Sequence, residues 1–226
     1  MVKVFSFSIF GSNDKYCKGL LRNIHLIKDL FPSWNVWVYI GNDVPQSIEE
    51  QLKAEPIVKL ISTHQTGMIN KVYRFFPIDT PEVEICIVRD ADSRIHARDR
   101  ACIQDFLDSD MRFHIIRDHK NHFHKIMAGM FGIKQGLLPY KIQEAYDWWS
   151  KEYKSDDFWD DTFFLVDVIY PDVKFECIFH DEYFDHESPH FKKPFKVPVD
   201  EKQEFVGQAY DFTANGDEYA IYRNDS

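Results

Sequence analysis

The sequence predicts an α/β fold built on one mainly parallel sheet, and three observations carry that expectation. Up to residue 117, stretches of strand periodicity alternate with stretches of helical periodicity, joined by short turns. One stretch, Val83-Glu84-Ile85-Cys86-Ile87-Val88, is almost wholly apolar, as a central strand covered on both faces must be. The chain has 226 residues, 44% of them hydrophobic and 16% aromatic, enough for a sizeable core.

The elements follow in order. Residues 3–10 alternate as a first strand, closed by Gly11-Ser12-Asn13-Asp14. Tyr16, Leu20, Ile24, Ile27 and Phe31 recur at helical spacing, and Pro32 ends that helix. Residues 36–40 form a second strand, followed by Gly41-Asn42-Asp43. Ser47 and Glu50 have the spacing of a capping box and open a short helix that runs to Lys53. A third strand at 57–61 precedes a helix at 69–76, stopped by Pro77. The central strand comes next, then a helix at 97–107 and a strand at 113–116. This succession of strand, helix and strand favours parallel neighbours.

The second half is less regular. Residues 126–133 read as a strand, 139–153 as an aromatic-rich helix, and 163–169 as the middle of a helix that begins near Ser155. A late strand is expected at 175–179 and a loop at 181–200. Asn215-Gly216, between Tyr210-Asp211-Phe212 and Tyr219-Ala220-Ile221-Tyr222, signals a C-terminal β-hairpin. No repeat or low-complexity linker divides the chain, so residues 1–226 read as one domain.

Charge narrows the function. Lys and Arg number 27 against 37 Asp and Glu, a net charge of -10, which repels a phosphate backbone and argues against nucleic-acid binding. An anionic ligand would have to be met by a few basic side chains or by a divalent cation. Cys17, Cys86, Cys102 and Cys177 are far apart, two of them in apolar runs, which points to reduced, buried thiols and a cytoplasmic compartment. The N-terminus alternates with Ser and lacks the apolar block of a signal peptide, and no stretch approaches the ~18 apolar residues of a membrane span.

The informative segment is Arg89-Asp90-Ala91-Asp92-Ser93-Arg94, where the most apolar strand ends. In extended chain, residues two apart point the same way, so Asp90 and Asp92 present two carboxylates to one spot. The carboxyl end of a central strand is where open α/β sheets bind ligands. Two carboxylates there suit Mg²⁺ or Mn²⁺, which can bridge the phosphates of a nucleotide. Asp also occurs at strand ends simply as a turn residue, so the spacing alone leaves both readings open.

Other candidates carry an ordinary reading beside a functional one. Lys71 and Arg74, at i and i+3, form either a solvated basic face or a pair that neutralises diphosphate, as do Arg94 and Arg117 at strand ends. Asp160 and Asp161 precede an apolar helix face, where acidic residues favour a helix start. His114, His119, His122 and His124 fit no zinc spacing and read as a polar loop beside a ligand. Trp148, Trp149 and Trp159 serve a core or, one of them, a platform for a sugar face.

The order of elements and Asp90-Ala91-Asp92 together resemble glycosyltransferases of the GT-A, nucleotide-diphospho-sugar transferase fold. The resemblance is nearest to small transferases of bacteria and large DNA viruses that carry a V-R-D-A-D-S-R motif. It covers residues 4–181 and the Phe205-Val206-Gly207-Gln208 segment. Its most specific pieces are residues 88–94, Ala128-Gly129-Met130-Phe131-Gly132 and Asp161-Thr162-Phe163-Phe164-Leu165.

The resemblance implies metal-dependent transfer of a sugar from a nucleoside-diphosphate sugar to a saccharide or glycan acceptor, with Mn²⁺ or Mg²⁺ as cofactor. It implies that Phe10, Gly11 and Ser12 hold base and ribose, that Asp92 ligates the metal, and that Asp90 touches ribose or metal. A late histidine often adds a metal ligand in this fold. His180 is the choice here, while His190, in His190-Phe191-Lys192-Lys193-Pro194-Phe195, lacks the glycine of the related H-x-x-G-x-K-P segment. One of Asp160 and Asp161 becomes the acceptor-side carboxylate, and Asp161 would be the base of an inverting enzyme; a retaining enzyme needs none. Three rivals remain. A D-x-D-x-[TV] phosphatase or phosphotransferase is disfavoured because Arg94 holds the Thr/Val position and the motif follows a fourth strand, not a first. A nucleotidyltransferase would want a richer glycine loop after strand one. A non-catalytic nucleotide-sugar-binding module would share the site but not the turnover.

Overall fold

The computed structural model describes residues 1–153, 159–199 and 204–221. Its first half alternates as expected: β1 (Val2–Ile9), α1 (Asp14–Leu30), β2 (Asn35–Ile40), α2 (Gln46–Ala54), β3 (Val58–Ser62), a 3₁₀ stretch (Gly67–Asp79), β4 (Val83–Arg89), α3 (Ala97–Asp108) and β5 (Phe113–Arg117). The second half adds β6 (Met130–Lys134), α4 (Ile142–Glu152), α5 (Asp160–Phe164), a π-helical turn (Leu165–Ile169), α6 (Tyr170–Val173), β7 (Cys177–Asp181) and β8 (Lys192–Lys193). A separate hairpin, β9 (Tyr210–Phe212) with β10 (Glu218–Ala220), closes the described chain around Gly216 at φ 87.

Among the described residues one sheet has eight strands in the order β3-β2-β1-β4-β6-β5-β7-β8. Strands β3, β2, β1 and β4 run parallel, as do β5, β7 and β8. Only β6 is antiparallel, to both β4 and β5. The alternation of β1 divides the core between the two faces. Phe5, Phe7 and Ile9 pack with α1, α2 and α3, whereas Val4 packs with the 3₁₀ stretch, α4 and the 160–173 helical run. At roughly 25 cal/mol per Å² of apolar surface removed from water, these two layers supply the main driving force for folding.

Several boundaries differ from the sequence reading, each for a local reason. Helix α2 is opened by Pro45 at its N-cap with no side-chain cap bond, so Ser47 lies inside the helix and forms no capping box. Pro77 sits within the last turn of the 3₁₀ stretch, where its missing N–H costs a single bond, and the stretch ends at Asp79. Residues 126–129 form a turn, with the Met130 N–H donating to Met127 O at 3.0 Å, so β6 starts at Met130. The preceding helix runs to Val173, which delays β7 to Cys177 and leaves Phe175 exposed. The expected helix start near Ser155 lies outside the described residues. The expected 181–200 loop contains a 3₁₀ turn at Pro189–Phe191 and the short β8.

All four cysteines are free and buried. No helix among the described residues is long and apolar enough to cross a membrane.

Candidate functional site

The carboxyl end of β4 is a turn whose carbonyls are pinned from behind. Asn23, a buried polar residue on the inner face of α1, donates to Ala91 O at 3.3 Å and Ser93 O at 2.8 Å, and accepts from the Ile95 N–H at 3.2 Å. Arg94 Nη1 donates to the same two carbonyls, at 3.2 and 2.6 Å, while its Nε pairs with Glu218 at 2.6 Å. One turn of helix before Asn23 stands Gly19, where an added Cβ would lie 2.4 Å from Ala91 O. Helix α1 therefore presses directly on the D-A-D turn, and only glycine permits the approach. Beneath it, Arg89 forks onto Asp99 at 3.1 and 2.8 Å with both side chains fully buried. The two arginines flanking the motif thus shape the backbone that presents Asp90 and Asp92.

These carboxylates open into a cleft of about 350 Å³. Its walls include Phe10, Tyr16, Lys71, Arg74, His119, His122, Trp159, Asp161, Phe205 and Gln208. Cations and carboxylates alternate across it. Lys15 Nζ lies 2.7 Å from Asp92, and Arg74 spans Asp90 at 2.7 Å and Asp161 at 2.9 Å. Lys71 stands 3.6 Å from the other Asp161 oxygen, which also accepts the Thr162 N–H at 3.0 Å. Burial and the neighbouring Asp90 charge push the Asp92 carboxyl above its usual range, against the pull of Lys15. Burial likewise raises Asp161, opposed by Arg74 and Lys71. Gly129 completes the floor: a Cβ there would meet Asp90 Oδ2 at 2.1 Å.

The residues singled out from the sequence divide clearly. Phe10, Lys71, Arg74, Asp90, Asp92 and Asp161 share the cleft. Gly11, at φ 68, and Ser12 continue the turn after Phe10 but do not line it. That turn is held by Asp43, which burial would raise but which the Gly11 and Gly67 N–H groups bring below the usual carboxylate range. Asp160 does not line the cleft either.

His180 is placed elsewhere. It is fully buried on the α3 side of the sheet, where its ring nitrogens meet His114 at 2.9 Å and Asp105 at 3.3 Å. A β-strand sends successive side chains to opposite faces, and at position 180 the side chain faces α3. His190 is exposed and lies outside the cleft as well. Arg117 is buried between Asp181 and Glu187, so it and Arg94 are structural. Of the histidine cluster, His119 and His122 line the cleft and pack on Phe205, with ring centroids 4.3 and 5.5 Å away. Of the tryptophans, Trp159 alone lines it, 5.2 Å from the His124 ring, while Trp149 is core and Trp148 is exposed.

The sequence reading missed Lys15, Gly19, Asn23 and the role of Gln208. Asn23 had a visible signal, a polar residue in the apolar stripe of α1. Lys15 had none, because its reach to Asp92 depends on how α1 docks.

A hard divalent cation fits this donor set. Among the described residues no group of three His, Cys, Asp or Glu side chains gathers at one point. Asp90 and Asp92 alone are enough for Mg²⁺ or Mn²⁺, which are commonly held by one or two carboxylates together with waters and substrate phosphates. Burial first and the Asp90 charge second raise Asp92, and a dication would relieve that repulsion.

No family model and no curated protein matches the chain in sequence. Solved structures do match in shape. The galactosyltransferase LgtC, solved with donor and acceptor sugar analogues, superposes with a TM-score of 0.55 at 10% identity, over 80% of this chain and 73% of its own. A glycosyltransferase involved in glycosylation of the major capsid of PBCV-1 superposes at 0.53 with 13% identity, over 80% of this chain and 82% of its own. An LgtC active-site mutant gives 0.53 at 12% identity, over 84% of this chain and 81% of its own. The architecture is therefore that of GT-A glycosyltransferases: this chain is folded as those sugar transferases are.

Proposed function

We propose that the protein is a metal-dependent glycosyltransferase that moves a sugar from a nucleoside-diphosphate sugar to a saccharide acceptor. The observation that carries this reading is the pair Asp90 and Asp92, held at the carboxyl end of β4 and open to the cleft. The three structural neighbours reported above are glycosyltransferases, and this cleft has the parts such a reaction needs. Phe10 and Tyr16 offer aromatic surface to a base, and Trp159 offers it to a sugar. Bound Mn²⁺ or Mg²⁺ would be held by Asp90 and Asp92 and would neutralise charge on the departing diphosphate. Arg74 and Lys71 stand beside that position to bind the phosphate oxygens. Asp161 is the group to take the acceptor hydroxyl's proton if the reaction inverts, and burial, which raises its carboxyl, makes it a better base.

The test is a melting series with nucleoside diphosphates and nucleotide-sugars, with Mn²⁺ or with a chelator. A ligand that binds the native state raises the melting temperature. The stabilisation should require the metal and should vanish in Asp92→Asn, whose metal-free melting temperature stays close to that of the parent. Equal shifts in Mn²⁺ and chelator would reject the metal bridge. Release of nucleoside diphosphate from a matching donor and acceptor then separates an enzyme from a binding module.

A further inference from the structure

Among the described residues three cleft-lining side chains carry a buried polar atom with no hydrogen-bond partner, Ser8 Oγ, Arg74 Nε and Gln208 Oε1, and of the three only the carboxamide oxygen is purely an acceptor. Gln208 is 2% exposed and lines the same cleft as Asp90 and Asp92. Its amide nitrogen is committed twice, to Ala209 O at 3.1 Å and Ile221 O at 2.7 Å. Those two carbonyls fix the orientation of the carboxamide, since a flipped amide would set oxygen against oxygen. The oxygen Oε1 is left buried with no hydrogen-bond partner. A buried acceptor with no donor is uncommon, and a bound ion is one of the things that satisfies it.

The backbone places this group beside the metal-binding turn. Ser93 and Ala209 form an antiparallel bridge, and the Tyr210 N–H donates to Asp92 O at 2.8 Å. Gln208 thus enters the cleft from the strand that runs against Asp92. Gly207, at φ 89, brings that strand close to the opposite wall, where an added Cβ would lie 2.7 Å from Met130 Sδ.

Building on the metal-dependent reading above, we propose that the Gln208 carboxamide oxygen is a third protein ligand of the divalent cation held by Asp90 and Asp92. It would occupy the role that the sequence reading gave to His180, which the fold buries elsewhere. Carbonyl oxygen is a hard donor of the class that suits Mg²⁺ and Mn²⁺. The resulting all-oxygen set favours these ions over the softer metals that imidazole attracts.

Two variants test this. Mn²⁺ binding is followed by electron paramagnetic resonance, with Mn²⁺ alone and then with UDP or GDP. Gln208→Met keeps length and removes the acceptor, so it should weaken Mn²⁺ binding on the order of 10-fold or more. Gln208→His should retain Mn²⁺, show strong nitrogen-14 modulation in the spin echo that the parent lacks, and gain affinity for Co²⁺ and Zn²⁺ relative to Mg²⁺. A purely structural glutamine predicts no such nitrogen signal. The metal-free melting temperature controls for folding; if Gln208→Met does not fold, the Gln208→His spectrum decides. Parent-like Mn²⁺ affinity in folded Gln208→Met, or Mn²⁺-loaded Gln208→His without nitrogen modulation, overturns the assignment while the metal-dependent reading stands. A parent protein that binds no Mn²⁺ with either nucleotide removes both.

Discussion

Asp90 is held in place by a neighbour that has no side chain. An alanine at 129 would put its Cβ on the Asp90 carboxylate, and Gly129 has no positive φ that would add backbone strain. Gly129→Ala should therefore leave the melting temperature of the free protein nearly unchanged and displace Asp90 from Arg74. Metal-dependent nucleotide binding, read by the melting shift or by calorimetry, should fall on the order of 10-fold or more, the scale of a disturbed metal ligand. Unchanged binding would mean that Asp90 is not needed where it stands. Asp161 calls for a different readout, because Arg74, Lys71 and the Thr162 N–H hold it in place. Asp161→Asn should lower transfer by ~10²-fold or more while nucleotide affinity changes little, the signature of a lost general base. Asp160→Asn, outside the cleft, is the control. A normal rate in Asp161→Asn would locate the base elsewhere or indicate a retaining reaction. At this scale the sequence showed Asp90 and Asp92, because a two-residue spacing after an apolar strand has local meaning. It could not show that Arg74 bridges Asp90 and Asp161, since that guanidinium joins segments far apart in the chain.

Helices and strands were legible wherever their periodicity was local. Helix α1 announces itself by Leu20, Ile24 and Ile27, all on its buried face. The antiparallel insertion of β6 between β4 and β5 was not legible, because strand order is decided by tertiary contacts and not by pattern. His180 shows the consequence. Its position just after a late apolar run suggested the cleft, but the register of β7 on β5 turns it toward α3. There the Asp105 carboxylate, also paired with Lys196, can only accept, so His180 donates to it from Nε2–H and a neutral His180 is left to accept at Nδ1 from the His114 Nε2–H. Burial, the facing His180 and the more distant Arg89 charge hold the His114 imidazole well below its ordinary 6.5. The unfolded chain takes up a proton below pH 6.5 that the native His114 refuses, so stability is full above that value and declines as pH falls beneath it. The slope is roughly 1.4 kcal/mol per pH unit for each such proton. His114→Gln, whose amide nitrogen can reach the Nε2 position, should flatten the pH 6.5 to 5 decline in urea unfolding by about one proton. An unchanged slope would place the acid sensitivity in other groups.

Across the whole molecule, the cleft is closed by chain that arrives last. The N-terminal half, β1 to β4 with its helices, supplies Phe10, Tyr16, Asp90 and Asp92. Phe205, Gly207, Gln208, Ala209 and Ile221 supply the facing wall. This segment is tied to the motif by the Tyr210 N–H to Asp92 O and by the Arg94–Glu218 pair, and it is closed on itself by the Ile221 N–H to Ala209 O at 2.8 Å. The guanidinium of Arg94 also lies 5.0 Å from the Tyr210 ring and 5.9 Å from that of Phe212. By contrast, none of the eight sheet strands comes from residues beyond Lys193. A protein ending at Gln208 should therefore keep cooperative unfolding, because every residue of both apolar layers remains. It should lose most of the melting shift given by Mn²⁺ with nucleoside diphosphate, since the Asp92 turn loses its backbone partner and Gln208 loses both of its anchors. Glu218→Gln, which weakens only the Arg94 tie, should show an intermediate shift. If the shortened protein responds to Mn²⁺ and nucleotide as the full chain does, the hairpin is an ornament on a site already complete, and residues 209–221 play no part in holding ligand.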